Sequence, residues 1–154
     1  LVRESRCLLV PDFEILLERL SEICGDCDDH YFALFDEADN YTHCVLDRGI
    51  VLLDSSVVEE TIKNSSLVTI KRLCMAENNC HRDALKTLKV YSDYSFMTGY
   101  VCCDGSWYVH SWLYSKKKYL VLEPCINSVT ECYYGFILTD KEIEKFSVEV
   151  AGND

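Results

Sequence analysis

Two periodicities divide the chain. From Pro11 to about Cys24, the residues Phe13, Leu16, Leu17, Leu20 and Ile23 recur at the spacing that lines one face of a helix. Pro11 suits the first turn and Gly25 the stop. An acidic, turn-rich stretch follows from Gly25 to Asn40, interrupted by the apolar patch Tyr31 to Phe35. Thr42 to Leu46 and Ile50 to Leu53 read as short strands around Asp47-Arg48-Gly49. Asp54 or Ser55 can then cap a second helix through about Lys63. Ser65 to Cys74 fits helix and strand equally well.

The second half carries a cleaner pattern. Ala84, Leu85 and Leu88 predict a helix from Cys80 to Val90. From Phe96 the period changes to that of strands: Phe96 to Cys103, Ser106 to Tyr114, Tyr119 to Glu123 and Tyr133 to Leu138. The links are short, with Asp104-Gly105, the run Lys116-Lys117-Lys118 as a solvated hairpin turn, and Pro124 with Asn127-Ser128. Thr139 and Glu142 have capping-box spacing and open a short terminal helix. Helices first, then one helix leading into an antiparallel meander, predict an α+β fold. The 154 residues fit one domain. Residues 1–78 are expected to be mostly helical, and residues 79–146 to hold the site-bearing helix, the strands and the terminal helix.

Charge narrows the partners. A formal charge of −11 with no basic stripe repels phosphate backbones, so nucleic acid is excluded as a partner and a basic protein or peptide suits better. No apolar run approaches the ~18 residues of a membrane span. The ten cysteines lie mostly inside apolar stretches, such as Cys44 before Val45-Leu46 and Cys102-Cys103 after Val101. Cysteine in such places acts as a small hydrophobe in a reducing compartment, and a cytoplasmic location is expected.

One constellation carries chemistry. Cys80 stands at a helix start, where unpaired N–H groups and a partial positive charge favour a thiolate and can bind an oxyanion. His110 falls on the second strand of the meander and Glu123 ends the third, so neighbouring strands can set base and carboxylate side by side. This assigns Cys80 as nucleophile, His110 as base and Glu123 as the group that orients the histidine. His81 is set aside, because residues i and i+1 on a helix point apart. Trp107, Tyr108 and Trp112 read as strand packing, with Trp112 also a candidate cleft wall.

The runs Asn79-Cys80-His81-Arg82-Asp83-Ala84, Gly99-Tyr100, His110-Ser111-Trp112, Leu122-Glu123-Pro124 and Tyr134-Gly135-Phe136 stand in a fixed order. In that order they resemble the papain/transglutaminase-like superfamily, in particular its small bacterial and phage members. The resemblance covers about Asn79 to Phe136 and implies a single papain-like domain with a Cys-His-carboxylate triad and no cofactor. Here Glu123 stands where the family more often has Asp. No Gln precedes Cys80, so Asn78, Asn79 or the backbone alone would supply the oxyanion donor. The implied activity is thiol-dependent hydrolysis or acyl transfer at an amide or thioester carbonyl of a protein or peptide, with peptide cleavage, glutamine deamidation and transamidation all open.

A second constellation competes. Cys24-Gly25-Asp26-Cys27 with His30, followed by His43-Cys44, has roughly zinc-like spacing but lacks a clean second pair. The rival to the enzyme is therefore a non-catalytic acidic binding module of the same fold, with zinc at Cys24 and Cys27 as its stabiliser. The enzyme reading expects no metal.

Overall fold

The computed structural model describes residues 41–57, 65–75, 79–103, 106–125 and 132–152, together with Glu18. Their order is α1 (Tyr41–Arg48), β1 (Ile50–Asp54), β2 (Ser65–Met75), α2 (Cys80–Val90), β3 (Ser95–Cys103), β4 (Ser106–Ser115), β5 (Leu120–Cys125), β6 (Cys132–Ile137) and α3 (Asp140–Gly152). The six strands close into a barrel in the order β1-β2-β5-β4-β3-β6, with β1 and β6 completing the ring.

This corrects the expectation of a papain-like α+β meander. An antiparallel meander would pair strands only with their sequence neighbours, but here β2 lies parallel to β1 on one side and parallel to β5 on the other. Ser65 to Cys74, ambiguous in sequence, forms most of the eleven-residue strand that fills this place. With β2 in place the ring of strands closes, since β1 also pairs antiparallel with β6. The described residues before Asn79 are likewise not mostly helical, because they supply two barrel strands. Thr42 to Leu46, expected as a strand, belongs to α1. Ile50 to Leu53 is a strand as read. Ser55 to Val57 forms a turn in which Asp54 Oδ1 accepts from Ser56 N–H at 2.9 Å, and the rest of the expected second helix lies outside the described residues.

Strand alternation sorts the core into two layers. Leu52, Met97, Trp112, Val121 and Tyr133 belong to a buried cluster made of strand residues alone, which fills the barrel. Residues of the opposite parity, among them Val51, Leu53, Phe96, Leu113 and Phe136, pack with Val45 of α1, Ala84 of α2 and Phe146 of α3. The helices therefore cover the outer wall. Gly135 lets the inner layer close: a Cβ there would stand 2.6 Å from Trp112 Cη2, so only glycine leaves room for the indole.

The local signals for the second half hold. Asn79 caps α2, its side chain accepting from Arg82 N–H at 3.1 Å. Thr139 and Glu142 exchange the two bonds of a capping box at 2.9 and 3.2 Å. Glu142 also receives Arg48 in a two-pronged bridge, both bonds 2.9 Å, which ties the end of α1 to the start of α3. Lys116 to Lys118 form a turn as read, closed by Tyr119 at a φ of 50°. No described helix is long and apolar enough to cross a membrane.

Candidate active site

The site occupies a place where the barrel wall parts. β4 and β5 are in register at Ser115–Leu120, Tyr114–Val121 and Leu113–Leu122. Beyond Leu122 both strands continue, β4 along β3 as far as Ser106 and β5 along β2 as far as Cys125, but no longer along each other. Pro124 gives a local reason, since it has no N–H to offer a neighbour. α2 packs against both strands, with its first residue, Cys80, partly exposed.

His110 and Glu123 have the parity of the barrel interior, and both are buried. His110 Nε2 lies 2.8 Å from each oxygen of Glu123. Glu123 Oε1 also accepts from Tyr133 OH at 2.9 Å, and Oε2 from Cys125 N–H at 3.0 Å. With three donors converging on it, a carboxylate with no solvent exposure remains solvated by protein. Because Nε2 is committed to Glu123, Nδ1 is the ring nitrogen left for the Cys80 thiol, with which His110 is hydrogen bonded. Trp112 stacks on the imidazole with centroids 6.2 Å apart and planes 20° apart, which fixes the ring's orientation.

This arrangement favours a thiolate facing an imidazolium. The Cys80 thiol is held far below its ordinary 9.0: the hydrogen bond from Cys125 lowers it most, burial opposes this, and bonds from His110 and His81 lower it further. Burial pulls His110 down, but bonds to Cys80 and to Glu123 outweigh it and raise the imidazole from 6.5 to about 10.

The three residues singled out from the sequence therefore meet at one point. Of the oxyanion and cleft candidates, Asn78 lies outside the described residues, and Asn79 has its side-chain oxygen engaged as helix cap. Trp112 is fully buried in the barrel, so it backs the histidine rather than walling an open cleft. The Cys24–Cys27 pair with His30 lies outside the described residues. His81, set aside because neighbours on a helix diverge, is buried and is among the groups that lower the Cys80 thiol. Its tautomer follows from counting hydrogens. Thr98 gives its only hydroxyl hydrogen to the His110 carbonyl (3.1 Å), and Ser111 gives its own to Thr98 (2.9 Å). The 2.6 Å contact between His81 Nδ1 and Ser111 Oγ is therefore donated by the histidine.

Two further site residues went unread. Cys125 shares a strand face with Glu123, two residues on, so alternation alone places it beside that carboxylate. Tyr133 could be found only with the register of β6, which local sequence does not carry. His110, Glu123 and Cys125 offer ligand atoms within 4.8 Å of one another, a grouping that also suits a metal ion. Comparison of the chain with protein-family models, with curated proteins and with solved structures finds no match in any of the three.

Proposed function

We propose that the protein is a thiol-dependent hydrolase or acyl transferase acting on an amide or thioester carbonyl of a protein or peptide. The observation that carries this reading is the chain of contacts from Cys80 through His110 to Glu123. The motif order from Asn79 to Phe136 supports it, although the barrel removes the papain-like fold from the argument. The Cys80 thiolate attacks the carbonyl carbon, and the backbone N–H of Cys80 at the helix start faces the developing oxyanion. His110 gives its proton to the leaving amine or thiolate, leaving a thioester on Cys80. His110, now neutral, takes a proton from water or an acceptor amine, whose attack releases the product and restores the thiolate. Glu123 holds the imidazole in place throughout. An acid-rich chain suits a basic substrate, and a working thiolate suits a reducing, cytoplasmic setting.

The test is a panel of activated esters, thioesters, peptides and glutamine-containing proteins, with acyl-enzyme trapped and read by intact mass. Cys80→Ala and His110→Ala should each abolish turnover, and the double variant should be no worse than either, because residues acting as a unit are non-additive. Turnover that survives His110→Ala on a substrate that Cys80→Ala kills would remove His110 as the base.

A metal centre is a second reading, favoured by the grouping of His110, Glu123 and Cys125. Against it, both Glu123 oxygens already accept hydrogens from His110, Tyr133 and Cys125. A metal on that carboxylate would displace one of these bonds. One equivalent of zinc in the purified protein, lost in Cys125→Ser, would favour the metal centre over the thiol enzyme.

A further inference from the structure

In the acyl-transfer steps Cys125 forms and breaks no covalent bond; it only helps to hold the Cys80 thiolate. Its thiol is hydrogen bonded to that of Cys80, across from the end of β5 to the start of α2. Its own backbone N–H is anchored on Glu123 at 3.0 Å, and its thiol is grouped with the His110 ring and the Glu123 carboxylate. The position is therefore held by the site and is not a chance approach of two mobile side chains. Both thiols are partly exposed, whereas Cys44, Cys102 and Cys132 are buried. A small solute can reach this pair and not those three.

We propose that Cys80 and Cys125 are a peroxide-responsive thiol pair, closing to a disulfide that caps the nucleophile and protects it from irreversible oxidation. The pair stands on the two adjoining thiols alone; its consequence, reversible loss of acyl transfer, rests on the function proposed above.

The chemistry balances with a hydroperoxide as oxidant. The Cys80 thiolate attacks the terminal oxygen, an S–O bond forms and the O–O bond breaks. The departing alkoxide or hydroxide takes the proton of the His110 imidazolium. In the resting site the Cys80 thiolate and burial keep Cys125 protonated, its thiol raised well above the ordinary value. Once Cys80 is a neutral sulfenic acid, that repulsion is gone and neutral His110 can accept the Cys125 proton. The Cys125 thiolate then attacks the Cys80 sulfur, the S–S bond forms, and the S–O bond breaks to release hydroxide, which is protonated to water. Overall, two thiols lose two electrons and the hydroperoxide is reduced to an alcohol and water. For hydrogen peroxide the products are two waters.

The experiment treats the whole reduced chain with one to two equivalents of hydrogen peroxide at pH 7, then blocks the remaining thiols and maps the product by fragmentation. Fragment-level mapping is needed because Cys74 shares a tryptic peptide with Cys80, and Cys132 shares one with Cys125. The expected product is 2 Da lighter with two fewer alkylatable thiols, carries a Cys80–Cys125 link, and returns to the starting mass with dithiothreitol. In Cys125→Ser the link should be absent. Cys80 should then be captured by dimedone and, without it, advance to the sulfinic acid that dithiothreitol does not reverse. Cys125→Ala serves the same purpose if the serine variant folds poorly. The proposal is overturned if wild-type Cys80 passes to sulfinic acid as fast as in Cys125→Ser. A first-formed link elsewhere, for example between Cys102 and its register partner Cys132, overturns it as well. A Cys80–Cys125 link in a chain that turns over no acyl substrate sinks the enzyme reading and leaves the thiol pair standing.

Discussion

Replacing Glu123 by Gln removes one charge from a fully buried position with little change in shape, and its effect can be worked out from the contacts. The carboxylate accepts from His110 Nε2, from Tyr133 OH and from Cys125 N–H. An amide has one acceptor oxygen and brings two hydrogens of its own, so it cannot satisfy all three donors. His110 also loses the negative charge 2.8 Å away. An opposite charge at such range shifts a pKa by about 1–3 units, so the imidazole should fall by that much from about 10. The thiolate it faces should become correspondingly harder to form. Alkylation of Cys80 by iodoacetamide, followed against pH together with thiolate absorbance near 240 nm, reads both changes. The wild-type rate should stay nearly flat from about pH 5 to pH 9, since the thiolate is present throughout. The Gln variant should show a titration step inside that window and turn over more slowly, while keeping its nucleophile. Tyr133→Phe removes one donor and no charge, so its profile should move far less. A folded Gln variant whose profile lies on the wild-type curve would refute the coupling of Glu123 to the pair, and with it the role assigned to the carboxylate.

The same ion pair shapes stability against pH. His110, raised from 6.5, adds stability that is full below pH 6.5 and lost towards about 10; Cys80, lowered from 9.0, adds stability that is full above pH 9 and lost as pH falls. Between about pH 6.5 and 9 the two slopes cancel, so urea unfolding should give a plateau there with a decline on each side. Gly135→Ala should be destabilising by about 1–3 kcal/mol, because its Cβ would meet the Thr98 carbonyl oxygen at 2.5 Å and the Trp112 ring at 2.6 and 2.9 Å, and the ring is hemmed in by Tyr133. Denaturant unfolding followed by tryptophan emission checks this, and an unchanged midpoint would refute the close packing of β3 and Trp112 around Gly135.

Local signals carried far in the second half of the chain. A helix at Cys80–Val90, the four strands after it and the capping box at Thr139–Glu142 were all legible, because each depends on neighbours within a few residues. The barrel was not. Its closure rests on the parallel register of β2, as in Leu53 opposite Leu67 and Thr69 opposite Leu120. Such pairings join positions far apart or on strands that do not follow one another, and no periodicity encodes them. The run Ser65–Met75 was ambiguous for a related reason. Half-buried between two neighbours, it shows Leu67, Val68, Ile70 and Leu73 without clean alternation. β-Branched Val68, Thr69 and Ile70 favour a strand, but tertiary pairing decides the matter.

The site was more legible than the fold because its components follow from rules of short range. A helix start selects Cys80, and strand parity puts His110 with Trp112, and Glu123 with Cys125, on single faces. What brings those faces together is the loss of pairing between β4 and β5 beyond Leu122. That parting had a sequence mark in Pro124, read only as a turn residue. A proline inside a strand removes one ladder donor, and here it lies between the carboxylate bonded to His110 and the thiol of Cys125. The ladder donor that Pro124 lacks and the one that Cys125 gives to Glu123 instead of to a strand belong to the same arrangement. Pro124 has no N–H to give a neighbouring strand, and Cys125 turns its own to the Glu123 carboxylate. The wall opens where they do so, and the opening is where Cys80 reaches His110.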